Sequence, residues 1–222
     1  MRSESRLEEI SDGKVYDVKD MVKADAGECD GCSACCHGVG DLFSLSPYDI
    51  YMISINEKVT FEDLLNDKIE LITEEKISLP HLKMYGDEDK CSFLNEEDRC
   101  SIHSSRPGVC RLFPLGRVYE DNDLKYFLQT GACTKPKLNK IKVKKWIGIS
   151  NYKENKKFVL EWYKLIKALR FRLKFVRDEE ELREINGYLI DVFYKTSAST
   201  DEEFYDYFHS NLANAKSKLG IL

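Results

Sequence analysis

Eight cysteines crowd between Cys29 and Cys133, and none occurs from Thr134 onward. Four of them fall inside one short run, Cys29-Asp30-Gly31-Cys32-Ser33-Ala34-Cys35-Cys36. A disulfide requires a particular Cα separation and torsion, which adjacent residues meet poorly. The opening residues, MRSESRLEEISDGK, lack the apolar stretch of a secretory leader. The expected setting is therefore a reducing cytoplasm, where clustered thiols point to metal or redox chemistry.

The spacing fits metal ligation. Two residues between successive cysteines let a tight turn aim both sulfurs at one ion, at about 2.3 Å for zinc. Gly31, Ser33 and Ala34 are small enough for the backbone to close around it. Thiolate-rich sets select zinc or iron–sulfur clusters over calcium or magnesium. Cys35 and Cys36 are adjacent and harder to aim together. One can ligate while the other serves a second site, bridges or packs.

Eight residues separate Cys91 from Cys100, and nine separate Cys100 from Cys110. Lys90–Leu94 and Arg99–His103 flank the polar turn Asn95-Glu96-Glu97-Asp98, which predicts a hairpin with Cys91 and Cys100 near its ends. A turn bounded by Pro107 and Gly108 then delivers Cys110, and Cys133 can close the set. All eight cysteines are candidate ligands. Four thiolates on a divalent ion leave a negative site, and Arg106 and Arg111 lie in the right segment to offset that charge from behind the ligands. Ordinary surface pairing is the alternative for both. His103 and His37 are further candidates, because zinc sites mix Cys and His. His81 and His209 read as surface or core residues.

The chain of 222 residues divides by composition into a polar N-terminal segment (1–24), a cysteine-cluster domain (25–140) and a helical C-terminal extension (141–222) packed on it. The expected class is α+β, with short helices and hairpins in the cysteine-bearing part. Residues 1–20 read as loose. Ser46-Pro47 opens a helix through Ile55, and Thr60-Phe61-Glu62-Asp63 opens another. Lys76–Tyr85, broken by Pro80, reads as an irregular or edge strand. Val118–Glu120 and Leu124–Thr130 flank Asp121-Asn122-Asp123 as a second hairpin. The apolar stripes from Val159 to Val176 and from Leu182 to Phe193 predict two helices. Thr200-Asp201-Glu202-Glu203 predicts a capping box opening a third.

The set Cys29-x-x-Cys32-x-x-Cys35-Cys36, then Cys91, Cys100-Ser101-Ile102-His103-x-x-Arg106-Pro107-x-x-Cys110-Arg111-x-Phe113-Pro114, resembles the CxxCxxCC family, also called the YkgJ-like cysteine cluster. The resemblance spans about Cys29–Cys133 and implies chelation of zinc or iron by these cysteines. More distantly, the stretch is similar to the cysteine-cluster domain of flagellin lysine methylases, where such a domain resembles an iron–sulfur-binding part of a longer enzyme.

Three functions are then in view. The first is an iron–sulfur or zinc protein whose metal serves electron transfer, sensing or catalysis. The second is a lysine methyltransferase-like modifying enzyme, although no Gly-rich loop after a strand marks a nucleotide-like pocket. The third is a zinc-stapled structural module that binds a partner, since structural zinc supplies about 10–16 kcal/mol. The surplus of thiols and the adjacent pair favour an iron–sulfur cluster over zinc. The chain shows no Gly-x-Ser-x-Gly elbow and no His-Glu-x-x-His pair. A formal net charge of −5 argues against general nucleic-acid binding, and no segment approaches the roughly 20 apolar residues of a membrane span. A helical face in the extension is available to a protein partner.

Overall fold

The computed structural model describes residues 9–27, 32–40, 43–120 and 122–221. Its elements, in chain order, are β1 (Ser11–Tyr16), β2 (Met21–Asp25), α1 (Pro47–Glu57), α2 (Phe61–Asp67), β3 (Ile69–Glu74), β4 (Ile77–Leu82), β5 (Met84–Tyr85), β6 (Lys90–Cys91), α3 (Gly108–Leu112), β7 (Leu115–Glu120), β8 (Asp123–Gln129), β9 (Asn139–Lys142), α4 (Val143–Ile147), α5 (Tyr152–Leu173), α6 (Glu179–Phe193) and α7 (Asp201–Lys218). The fold is α+β, with small antiparallel sheets followed by three long helices.

The helix starts follow from their caps. Ser46 and Asp49 form a reciprocal box with Pro47 in the first turn, and Thr60 and Asp63 form a second. At α7, Thr200 accepts the Glu203 N–H at 3.2 Å, but the Glu203 carboxylate reaches back one residue further, to the Ser199 N–H at 2.7 Å. The box predicted there is thus half of one, extended by a neighbouring contact.

The strands expected on either side of the second turn pair, β7 with β8 from Leu115↔Leu128 to Glu120↔Asp123. Asn122 adopts φ 63°, the left-handed conformation that Asn tolerates in tight turns. Pro80 lies in β4 opposite Leu71 of β3. A two-stranded sheet has only edges, so its missing N–H is harmless, while its carbonyl accepts the Leu45 N–H at 2.7 Å.

Two expectations are corrected. Residues 11–16 are not loose but form β1, which joins β8 at the edge of the three-stranded sheet β1-β8-β7. Backbone pairing to a buried neighbour orders a polar segment that lacks an apolar pattern of its own. The hairpin around Asn95–Asp98 closes only at its tip, through the Leu94↔Cys100 bridge and the Ser101 N–H to Phe93 carbonyl bond at 2.8 Å. Cys91 instead pairs with Met84 in β5–β6.

The long helices bury their predicted stripes, α5 and α7 against α1, and α6 against α5, α7 and β4. Phe158 of α5, fully buried, touches Tyr48, Phe204, Tyr205 and Phe208 with ring centroids 4.7–6.2 Å apart. The Tyr194 hydroxyl donates to the Leu45 carbonyl at 2.9 Å. No helix among the described residues is long and apolar enough to cross a membrane.

Candidate metal centre

Four elements bring six cysteines to one cavity of about 660 Å³. Cys32 precedes a short 3₁₀ turn, Ala34–Cys36, closed by the Cys36 N–H to Ser33 carbonyl bond at 2.8 Å. This turn points both Cys35 and Cys36 into the cavity. Cys91 arrives at the end of β6 and is 9% exposed. Cys100 follows the Asn95–Asp98 turn, and Cys110 sits in the middle of α3. Cys133 does not line this cavity. It lines a small adjoining pocket that shares Cys32 and Cys35 with the larger one. Cys29 lies outside the described residues. The other seven cysteines are free thiols.

The position of Cys110 depends on Asp49. Its carboxylate accepts the Gly108 N–H at 2.6 Å on one oxygen and the Ser46 N–H and hydroxyl at 2.7 Å on the other. One buried side chain therefore caps α1 and fixes the start of α3. Trp146 of α4 secures the other end of α3, donating its indole N–H to the Leu112 carbonyl at 3.0 Å.

The thiols are not electrostatically equivalent. Cys36 donates its S–H to the Cys35 sulfur, which favours the Cys35 thiolate, and Arg106 and His37 add to that preference. Acting as donor holds the Cys36 thiol up, and burial and its thiol neighbours add to this. Burial also pushes up Cys91, Cys100 and Cys110. A divalent ion or cluster reverses such shifts, since a coordinating thiol is deprotonated outright. Arg106, Arg99 and Lys145 supply positive charge on the cavity wall. Arg106 Nε is buried without a hydrogen-bond partner among the described residues, leaving a donor for an anionic ligand.

His103 lines the cavity, but its Nε2 accepts from Arg106. Burial first, then Arg106 and Arg111, hold its pKa below the usual imidazole range. Arg111 points elsewhere. Its guanidinium donates to the Ser104 carbonyl at 3.2 Å and more weakly to the Arg106 carbonyl at 3.5 Å, bracing the loop that carries Arg106. His37 bonds through Nδ1 to the Glu88 carbonyl at 3.0 Å. His81 is buried with Nδ1 on the Gly40 carbonyl, and His209 pairs with Glu161.

The sequence reading missed Arg99, Lys145 and Trp146. Arg99 was hidden as one cation in a polar turn. The other two lie far beyond Cys110 in the chain, and no spacing connects them with the cysteines. Among the described residues, no three Cys, His, Asp or Glu side chains stand close enough together to hold an ion as placed.

The model of the CxxCxxCC family, a putative zinc- or iron-chelating domain, matches residues 28–134. The matched segment holds all eight cysteines. No curated protein and no solved structure shows a significant match to the chain.

Proposed function

We propose that this domain chelates an iron–sulfur cluster through the cysteines that ring the cavity. The observation that supports it is the convergence of six thiols from four elements, the adjacent pair included, on a single space. A closed zinc site takes four protein ligands. A cluster also takes four thiolates; the surplus beyond four, with Cys35 and Cys36 adjacent, favours a centre of more than one metal atom over a single closed zinc ion. The donor set fits: thiolates are the ligands that hold iron–sulfur clusters, and the buried, unpartnered Nε of Arg106 suits the negative charge they bring.

In this reading four ligands come from among Cys32, Cys35, Cys91, Cys100 and Cys110, and Cys36 donates to or replaces Cys35. Arg106, Arg99 and Lys145 offset charge, and Phe93, Phe113 and Trp146 limit access of water. A bound cluster would supply one-electron transfer. The hydrogen bonds and burial around its sulfurs would set its potential.

Anaerobic purification followed by metal and sulfide analysis and a visible spectrum tests the proposal. Iron with matching sulfide and a broad thiolate-to-iron band is the expected result. Colourless protein holding only zinc would overturn the cluster and leave a zinc-stapled binding module.

A further inference from the structure

A second cavity, of about 630 Å³, lies behind the first between β4, β7, α3 and α5. Cys35, Val39, Cys110 and Phe113 line both spaces. Its size falls within the usual range for small-molecule sites, roughly 300–1,000 Å³. The walls are mainly apolar and rich in rings. Phe43 stands at 45% exposure, Trp162 and Tyr163 come from α5, and Tyr119 of β7 stacks on Tyr163 with centroids 3.9 Å apart and planes 6° apart.

The charged groups on this cavity are mostly occupied. Arg170 pairs with Glu75 at 3.5 Å and Glu74 at 4.0 Å, although its Nε makes no hydrogen bond among the described residues. Asp49 takes the bonds from Gly108 and Ser46 described above. Arg117 differs. It projects from β7 on the same face as Tyr119, it makes no ion pair among the described residues, and its Nε is buried without a hydrogen-bond partner among them. Its Nη2 reaches toward Gly108 beside the Asp49 carboxylate, which leaves the Nε–H as the donor for a carboxylate oxygen of a ligand.

We propose that this cavity is a binding site for a small aromatic carboxylate, held by Arg117 at its charged end and by the aromatic walls along its ring. The site is separate from the metal centre, but a ligand in it sits against the shared wall of Cys35 and Cys110.

The test is anaerobic titration calorimetry of the full chain, as purified with its metal, using hydrocinnamate and the uncharged hydrocinnamyl alcohol. Hydrocinnamate should bind at millimolar concentration or tighter, and the alcohol at least roughly tenfold more weakly. Arg117→Gln should abolish that preference while metal content and circular dichroism stay unchanged. Phe43→Ala, at an exposed rim position, should weaken both compounds. No binding of hydrocinnamate, equal binding of the alcohol, or an undiminished preference in Arg117→Gln would overturn the proposal. Metal analysis on the same samples reports separately on the cluster.

Discussion

Asp49 and Gly108 are joined by a 2.6 Å hydrogen bond across 59 positions of sequence, so the first helix directly sets where the Cys110 turn begins. Asp49→Ala removes a helix cap and leaves the Gly108 N–H without its partner. The expected loss is roughly 2–4 kcal/mol, measured by denaturant unfolding of metal-loaded protein. Metal content should fall with it. Asp49→Asn, which keeps one acceptor oxygen, should lie between. Equal stability of all three proteins would show that the bond contributes nothing.

Cys32 and Cys110 lie far apart in sequence yet line the same cavity. Cys32→Ser or Cys110→Ser should each lower metal content and stability together, with a drop in Tm of roughly 5–10 °C. Elemental analysis beside thermal unfolding checks this. Full metal content in both variants would remove both residues from the ligand set.

Arg106 favours the thiolate forms of Cys35 and Cys100. Without that cation the thiols hold protons more tightly, and protons compete better with metal. Arg106→Met should therefore shift acid-induced metal release to higher pH, by about one unit. Release followed by absorbance against pH, in wild type and variant, gives the comparison. A midpoint that stays in place, or moves downward, would contradict the role.

Phe158 is fully buried where α1, α5 and α7 meet. Truncation to Ala leaves a cavity among rings that cannot collapse readily. The expected cost is about 3–5 kcal/mol, measured as a shift in the denaturation midpoint. A cost below about 1 kcal/mol would mean that the helices close over the gap.

Tyrosines give the alkaline limit. Burial raises Tyr16, Tyr51 and Tyr205 from 10.0 to about 12, with help from Asp12 at Tyr16 and Asp201 at the other two. Above pH 10 the unfolded chain ionises these phenols while the folded chain keeps their protons. Their contribution to stability is complete below pH 10 and is lost as pH rises toward 12. Unfolding free energy measured across that interval should decline. A flat profile would show that the phenols ionise equally in both states.

Much of this was legible from local patterns. Ser46-Pro47 and Thr60 announced their helices because a cap is a contact within four residues. The stripe from Val159 to Leu173 announced α5 because burial on one side imposes a helical period. The pairing of β7 with β8 was readable from the turn residues between them. By contrast, β1 carries no apolar alternation and is ordered by its partner β8, and Cys91 pairs with Met84 of β5, a segment outside the expected hairpin. At the site, the cysteines identified themselves. Lys145, Trp146 and Asp49 did not, because their roles arise from contacts between segments far apart in sequence. Arg111 was selected for its proximity to Cys110, but α3 carries its side chain away from the cavity.

The pairing of β2 with β9 sets Asp25 opposite Asn139, just outside the two ends of the family segment 28–134. Neighbouring strands lie about 5 Å apart, so the stretch leaves the surrounding framework almost where it enters. Two adjacent strands of another host would accept its ends with no long linker, but that host would also have to replace the packing that β1, Trp146 and Phe158 supply from outside the stretch.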